Sequence, residues 1–185
     1  MPYLHSSPRR SKITLYYFAY GSNLHPLRLT ARVPSARVIG RCRLDGYGFS
    51  LKHPSLDGSG KCNIFPADMD NTQVVGVLYE IQNPMQKRIL DEIEGEQFGW
   101  GAIEVDVRNQ NVTRQAFTYT ACANPPEQSA PPYHWYHEIV LLGALFHGLP
   151  DVFVEQIVKT KSQPDLDYSR NKMNQALVAR LRGTI

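Results

Sequence analysis

Hydrophobic and polar positions along this chain of 185 residues repeat with two periods, and the change from one to the other marks its elements. Ile13 to Tyr20, ITLYYFAY, is β-branched and aromatic and apolar on both faces, which predicts a central strand. It breaks into a polar hook, Gly21-Ser22-Asn23, followed by Leu24 and Pro26. Pro26 suits the first turn of a short helix over 27–33. Residues 36–52 predict one long strand or two shorter ones bent at glycines, and 55–62 a loop. A short strand over 62–68 and a clear one over 73–81 follow. Over 83–95 the period changes: Met85, Ile89 and Ile93 recur every four residues with Leu90 beside them. Asn83 is a good N-cap, Pro84 suits the first helical position and Gly95 is a natural stop, so an amphipathic helix is predicted. Strands return over 101–109 and 114–121, joined by the turn Asn109-Gln110-Asn111-Val112. A proline-rich loop over 124–136 leads to three helices, over 137–150, 151–161 and 169–183. Strands come mostly first and helices last, with one helix set between strands. That order indicates an α+β fold with a mixed or barrel-like sheet, not a doubly wound parallel one. No internal repeat is visible.

The length suggests one domain, over 13–185, behind a basic tail of residues 1–12 expected to be disordered. With 42% hydrophobic residues the chain can build a real core. A net charge of +3 argues against a dedicated nucleic-acid binder. Cys42, Cys62 and Cys122 are widely spaced and odd in number, without a C-x-x-C pair, which excludes a zinc ribbon or thioredoxin-like motif. They read as small buried hydrophobes in a reduced, cytoplasmic setting. The N-terminus lacks the apolar run of about 7–15 residues that a signal peptide needs. The longest apolar run, Ile139 to Phe146, is far short of the ~20 residues of a membrane span, so a soluble protein with no membrane partner is expected.

Three places could carry chemistry. The hook lies at the carboxyl end of an inner strand, where successive backbone N–H groups can form an anion or oxyanion site; an ordinary strand-ending turn would use the same residues. The helix end LDEIEG puts Asp91, Glu92 and Glu94 in its last turn, with Glu96 after it. Carboxylates at that partly negative end are disfavoured by roughly 0.3–1 kcal/mol each. Crowding raises their pKa, as a carboxylate general base requires; a solvated acidic helix end remains the alternative. A helical wheel turns Asp91 to solvent and sets Glu92 and Glu94 on either side of the apolar stripe, without choosing between them. His134 and His137 are three apart, but no third ligand cluster stands out, so no metal is expected. Ser22 has no local base and is not set in a G-x-S-x-G elbow.

Four stretches together resemble the γ-glutamylcyclotransferase family: YFAYGSNL (17–24), RLDGYGFSL (43–51), LDEIEG (90–95) and YHEIVLLGALFHGLP (136–150). They follow the family's order from residue 13 to about 160 and leave out the tail and the last helix. The resemblance implies a small, closed, mixed β-barrel flanked by helices, with one cavity at its mouth. It implies cyclisation of a γ-glutamyl compound to 5-oxoproline with release of the amine or amino acid. The second Glu of the helix end is the family's acid/base, which selects Glu94. The turn after the first strand, Tyr20, Gly21, Ser22, Asn23 and Leu24 here, holds the γ-glutamyl group, and Tyr136 takes the position of a Tyr that lines the site. No metal or organic cofactor is required.

The chain departs from the pattern at Trp100, where several relatives carry Tyr, and at Cys62 and Asn63, where small apolar residues are common. The glutathione-specific branch usually has Leu after YGS; Asn23 here favours general γ-glutamyl amino acids. Two further readings stay open: a tailoring enzyme that removes a γ-glutamyl cap from an amine, and a non-catalytic small-molecule-binding module with the same fold. The partner expected is a small γ-glutamyl compound; a homodimer is left open.

Overall fold

Five of the seven described strands close into a barrel, in the order β1 (Leu15–Ala19), β5 (Gln73–Ile81), β2 (Ala36–Asp45), β6 (Trp100–Asn109) and β7 (Val112–Ala121). The computed structural model describes residues 14–67, 72–95, 99–110, 112–121 and 129–185. The basic tail, Glu96, Cys122 and part of the proline-rich loop lie outside the described residues. Strand β1 (Leu15–Ala19) runs antiparallel to β5 (Gln73–Ile81), from Leu15 opposite Ile81 to Ala19 opposite Val77. Strand β2 (Ala36–Asp45) takes the other edge of β5, with a register shift between Val38 and Gly40. Strands β6 (Trp100–Asn109) and β7 (Val112–Ala121) form a long hairpin. The barrel closes where β2 meets β6 at Arg43 and Arg108, and where β7 lies parallel to β1 at Tyr17 and Phe117. That single parallel pairing makes the barrel mixed and puts the apolar β1 inside it.

The segment 36–52 resolves into two strands. The chain turns at Gly46, whose φ of +77° suits glycine. Then β3 (Tyr47–Pro54) leaves the barrel to pair with β4 (Gly60–Pro66) in a separate two-stranded sheet. Asn63 ties this sheet to the barrel: its Oδ1 accepts from Thr120 Oγ1 and from the Ala121 amide, both at 3.0 Å. A buried amide with two donors is satisfied, which explains a polar residue at this inward position.

Helix α1 (Pro26–Arg32) follows the hook, and α2 (Lys87–Glu94) joins β5 to β6. The first turn of the latter, Pro84–Gln86, is 3-10. A 3-10 turn advances each side chain further around the axis than an α turn, so Met85 falls off the predicted stripe and is 65% exposed. Leu90 is the helix's buried residue. Helix α3 (His134–Phe146) starts earlier than its hydrophobic pattern suggests and buries Trp135, Tyr136, Ile139, Val140, Leu142, Gly143 and Ala144. Apolar on most sides, it is the central helix. Against it lie α4 (Asp151–Lys159), with Phe153 and Ile157 buried, and α5 (Tyr168–Arg182), with Val178 and Leu181 buried. Among the described residues no helix is long and apolar enough to cross a membrane.

Candidate active site

The hook is held from three directions. Leu24's amide closes the turn onto the Gly21 carbonyl at 2.9 Å. Leu24's own carbonyl accepts from Tyr79 Oη at 2.6 Å and from His147 Nε2 at 2.9 Å. Its side chain is fully buried beside Gly143 of α3, where a Cβ would sit 2.6 Å from Leu24 Cβ. Glycine at 143 therefore lets the central helix press directly on the hook. Gly21 meets a similar approach: a Cβ there would lie 2.8 Å from Cys62 Cβ on β4. Its φ lies outside the left-handed region that favours glycine, so this glycine is needed for the approach of Cys62 and not for a special backbone angle.

A cavity of about 480 Å³ opens over the hook. Tyr20, Gly21, Ser22 and Asn23 line it, as do Tyr136 and Glu94. Leu24 does not: it sits beneath the turn and fixes its shape. Tyr20 Oη donates to the Tyr119 carbonyl at 2.5 Å, and Tyr136 Oη accepts from the Cys62 amide at 3.1 Å, so both phenols have partners within the wall.

Glu94 closes α2 with its carboxylate in this cavity, whereas Glu92 is exposed. The Glu94 side chain accepts from Asn23 Nδ2 at 3.3 Å and faces Arg32 Nη1 at 3.7 Å. Asn23 joins the hook to the carboxylate: it also donates to Tyr17 Oη at 3.1 Å and accepts from Arg32 Nη1 at 2.9 Å. Burial raises the Glu94 pKa above the ordinary carboxylate value, against the opposing pull of Arg32, Arg28 and Asn23. Burial, which the sequence alone did not anticipate, is the largest cause of the rise. Asp91 is part-exposed, as the wheel expects, but it is not free. Its Oδ1 accepts from Tyr119 Oη at 2.7 Å and pairs with Lys87 Nζ at 2.5 Å, which braces α2 on the barrel.

The opposite wall is one that sequence reasoning did not find. Lys61 on β4 pairs with Asp57 at 2.6 Å and lies over the rings of Tyr133, Trp135 and Tyr136. Trp135 lines the cavity, and its Nε1 donates to the buried Asp165 at 2.9 Å. Arg170, from the last helix, grips both oxygens of Asp165 at 2.7 Å. The Arg170 pair and the Trp135 bond hold the Asp165 carboxyl well below the ordinary range. Trp100 also lines the cavity, packed edge-on against His53. No periodic signal could reveal how these pairs assemble: Lys61–Asp57 and Arg170–Asp165 are local, but the aromatic residues that join them, Trp135 to Asp165 and Lys61 over Tyr133, Trp135 and Tyr136, come from 30 or more positions away; the aromatic run YHWY was the one local hint.

His134 and His137 are engaged elsewhere, with Ser162 Oγ at 2.8 Å and the Ile157 carbonyl at 2.7 Å. Among the described residues no group of three or more His, Cys, Asp or Glu is placed to hold a metal ion. Cys42 and Cys62 are buried free thiols; burial pushes Cys42 up to about 12 and raises Cys62 as well.

This arrangement can move a proton. A carboxylate with a raised pKa shares with the hook a cavity large enough for a dipeptide-sized molecule. Residues 73–157 match the AIG2-like family. Human gamma-glutamylcyclotransferase is 33% identical over 150 residues, 76% of this chain and 76% of that protein. The mouse protein of the same name is 31% identical over 153 residues, 78% of this chain and 77% of its own. A solved structure titled gamma-glutamyl cyclotransferase superposes with a TM-score of 0.76 at 28% identity, covering 91% of this chain and 99% of that one.

Proposed function

The chain belongs to the γ-glutamylcyclotransferase family, and from that premise we propose that it converts γ-glutamyl amino acids to 5-oxoproline and the free amino acid, with Glu94 as general acid/base. The observation that carries the reading is the Glu94 carboxylate, buried enough to raise its pKa and joined to the hook through Asn23.

The substrate's α-ammonium gives a proton to Glu94. The freed amine attacks the γ-carbonyl carbon of the same molecule and closes a five-membered ring. Attack and target belong to one chain, so holding that chain folded supplies much of the acceleration. The negative charge that forms on the γ-oxygen needs donors placed in advance. Leu24's amide is already bonded within the turn, which leaves the amides of Gly21, Ser22 and Asn23 for this role. The C–N bond to the leaving group then breaks as its nitrogen takes this proton from Glu94; the ring nitrogen gives its second proton to the carboxylate in turn, and the departing amine takes that one too and leaves as the ammonium. Bonds and protons balance without an outside reactant.

The test is release of 5-oxoproline from γ-glutamyl-alanine and from γ-glutamyl-butylamine, wild type beside Glu94→Gln. Wild-type turnover that prefers the dipeptide, with a loss of ~10²–10⁴-fold in the variant, is expected. No 5-oxoproline from either compound would refute the reaction; a clear preference for the amine would refute the substrate class.

A further inference from the structure

The cavity holds a cation that forms no ion pair among the described residues. Arg28 stands in α1 just past the hook and lines the cavity. Its Nε is buried and has no hydrogen-bond partner among the described residues. Among the described residues three cations and two carboxylates line the cavity: Arg28, Arg32 and Lys61 against Asp57 and Glu94. Lys61 is paired with Asp57, and Arg32 is bonded to Asn23 and faces Glu94. Arg28 enters none of the ion pairs formed among the described residues. Burial and then the charge of Arg32 lower its guanidinium to about 10, while Tyr136, Glu94 and Tyr17 act on it in the other direction.

An unpaired guanidinium in a cavity wall weakens a fold, because its lost hydration is not replaced. It is useful when a ligand brings the missing anion. A guanidinium presents parallel N–H groups to a carboxylate, which a lysine ammonium cannot match. In a γ-glutamyl compound the α-amine and the α-carboxylate share one carbon. An amine that reaches Glu94 therefore carries its carboxylate into the same end of the cavity, where Arg28 lies within electrostatic reach of Glu94.

We propose that Arg28 is the seat of the substrate's α-carboxylate, and hence the residue that restricts this enzyme to γ-glutamyl compounds bearing that group. The inference rests on the reaction proposed above and extends it by naming the group that selects the acyl half of the substrate. The leaving amino acid brings a second carboxylate, and the experiment separates the two sources.

Wild type, Arg28→Gln and Arg28→Lys are assayed on three compounds. γ-Glutamyl-alanine has both carboxylates. γ-Glutamyl-ethylamine lacks the one on the leaving group. 4-Aminobutanoyl-alanine lacks the α-carboxylate, yet can cyclise to 2-pyrrolidinone with release of alanine. Arg28→Gln is expected to lower kcat/KM by ~100-fold on the two γ-glutamyl compounds and to leave 4-aminobutanoyl-alanine at the wild-type level; Arg28→Lys recovers part of the loss. An equal loss on all three compounds overturns the proposal in favour of a structural role. A loss confined to the two alanine compounds overturns it in favour of the leaving group's carboxylate. Should Arg28→Gln fail to fold, Arg28→Lys carries the same comparison. If wild type makes no 5-oxoproline, the reaction proposed above fails, and binding then decides the role of Arg28. Titration of 5-oxoproline and 2-pyrrolidinone should show the variant weakened for the first alone; equal affinity of wild type and variant for 5-oxoproline overturns the proposal.

Discussion

On the wall of the cavity formed by β4 and the start of α3, the charges are paired. Lys61 meets Asp57, Arg170 meets both oxygens of Asp165, and Trp135 is fixed by the same carboxylate. On the wall formed by the hook, α1 and the end of α2, they are only partly paired. Arg28 Nε has no partner among the described residues, and the Glu94 carboxylate lies 3.7 Å from Arg32 with its pKa raised by burial. The first wall satisfies its polar groups and so holds a shape. The second keeps charges in a state that costs stability, which is the usual mark of groups kept for a ligand or a proton transfer.

Removing a partner from the paired wall should show the largest loss of stability. Asp165→Asn leaves Arg170 without its counter-charge and should cost about 3 kcal/mol in urea unfolding. Turnover measured on the protein that remains folded should fall less than it does in Glu94→Gln. Overpacking the support of the hook comes next. Gly143→Ala sets a methyl 2.6 Å from Leu24 Cβ and 3.0 Å from the His25 amide, and should cost ~1–3 kcal/mol. It should also reduce turnover, because the hook must shift. Gly21→Ala, which meets Cys62 Cβ at 2.8 Å, should impair turnover more than it lowers the unfolding midpoint.

Smaller effects follow from protons. Burial lowers the pKa of His25, His53 and His147 in the folded chain. The unfolded chain then binds more protons below the ordinary histidine value, so stability should fall as pH drops through that range. Glu94 acts in the opposite sense. Its pKa is raised on folding, so the stability tied to its protonated form is full below the ordinary carboxylate value and is lost as pH rises through the raised one. Turnover should rise over that same upper range as the base ionises, a midpoint that a pH profile of kcat/KM reads directly.

Much of the barrel was legible in the sequence. Strand β5 is where its apolar run places it, and β1 ends at the predicted hook. The legible features were local: a period, a cap, a cluster of turn formers. The choice between Glu92 and Glu94 was not, because a wheel assumes one continuous α-helix and the first turn here is 3-10. Lys61, Asp165 and Arg170 were missed because their ion pairs are local but their place in the wall is set by Tyr133 and Trp135, which are distant in sequence. Arg170 lies in the last helix, outside the four family motifs, yet it braces the wall through Trp135. The raised pKa of Glu94 was expected from crowded carboxylates, whereas its largest cause is burial in the cavity, which only tertiary structure supplies.

The central claim is that Glu94 is kept for chemistry at the expense of stability. Its most direct test is one pair of measurements on Glu94→Gln at neutral pH: the rate of 5-oxoproline release from γ-glutamyl-alanine and the free energy of unfolding in urea. The account predicts turnover lost and stability equal to or above that of wild type. Turnover retained, or turnover and stability lost together, would contradict it.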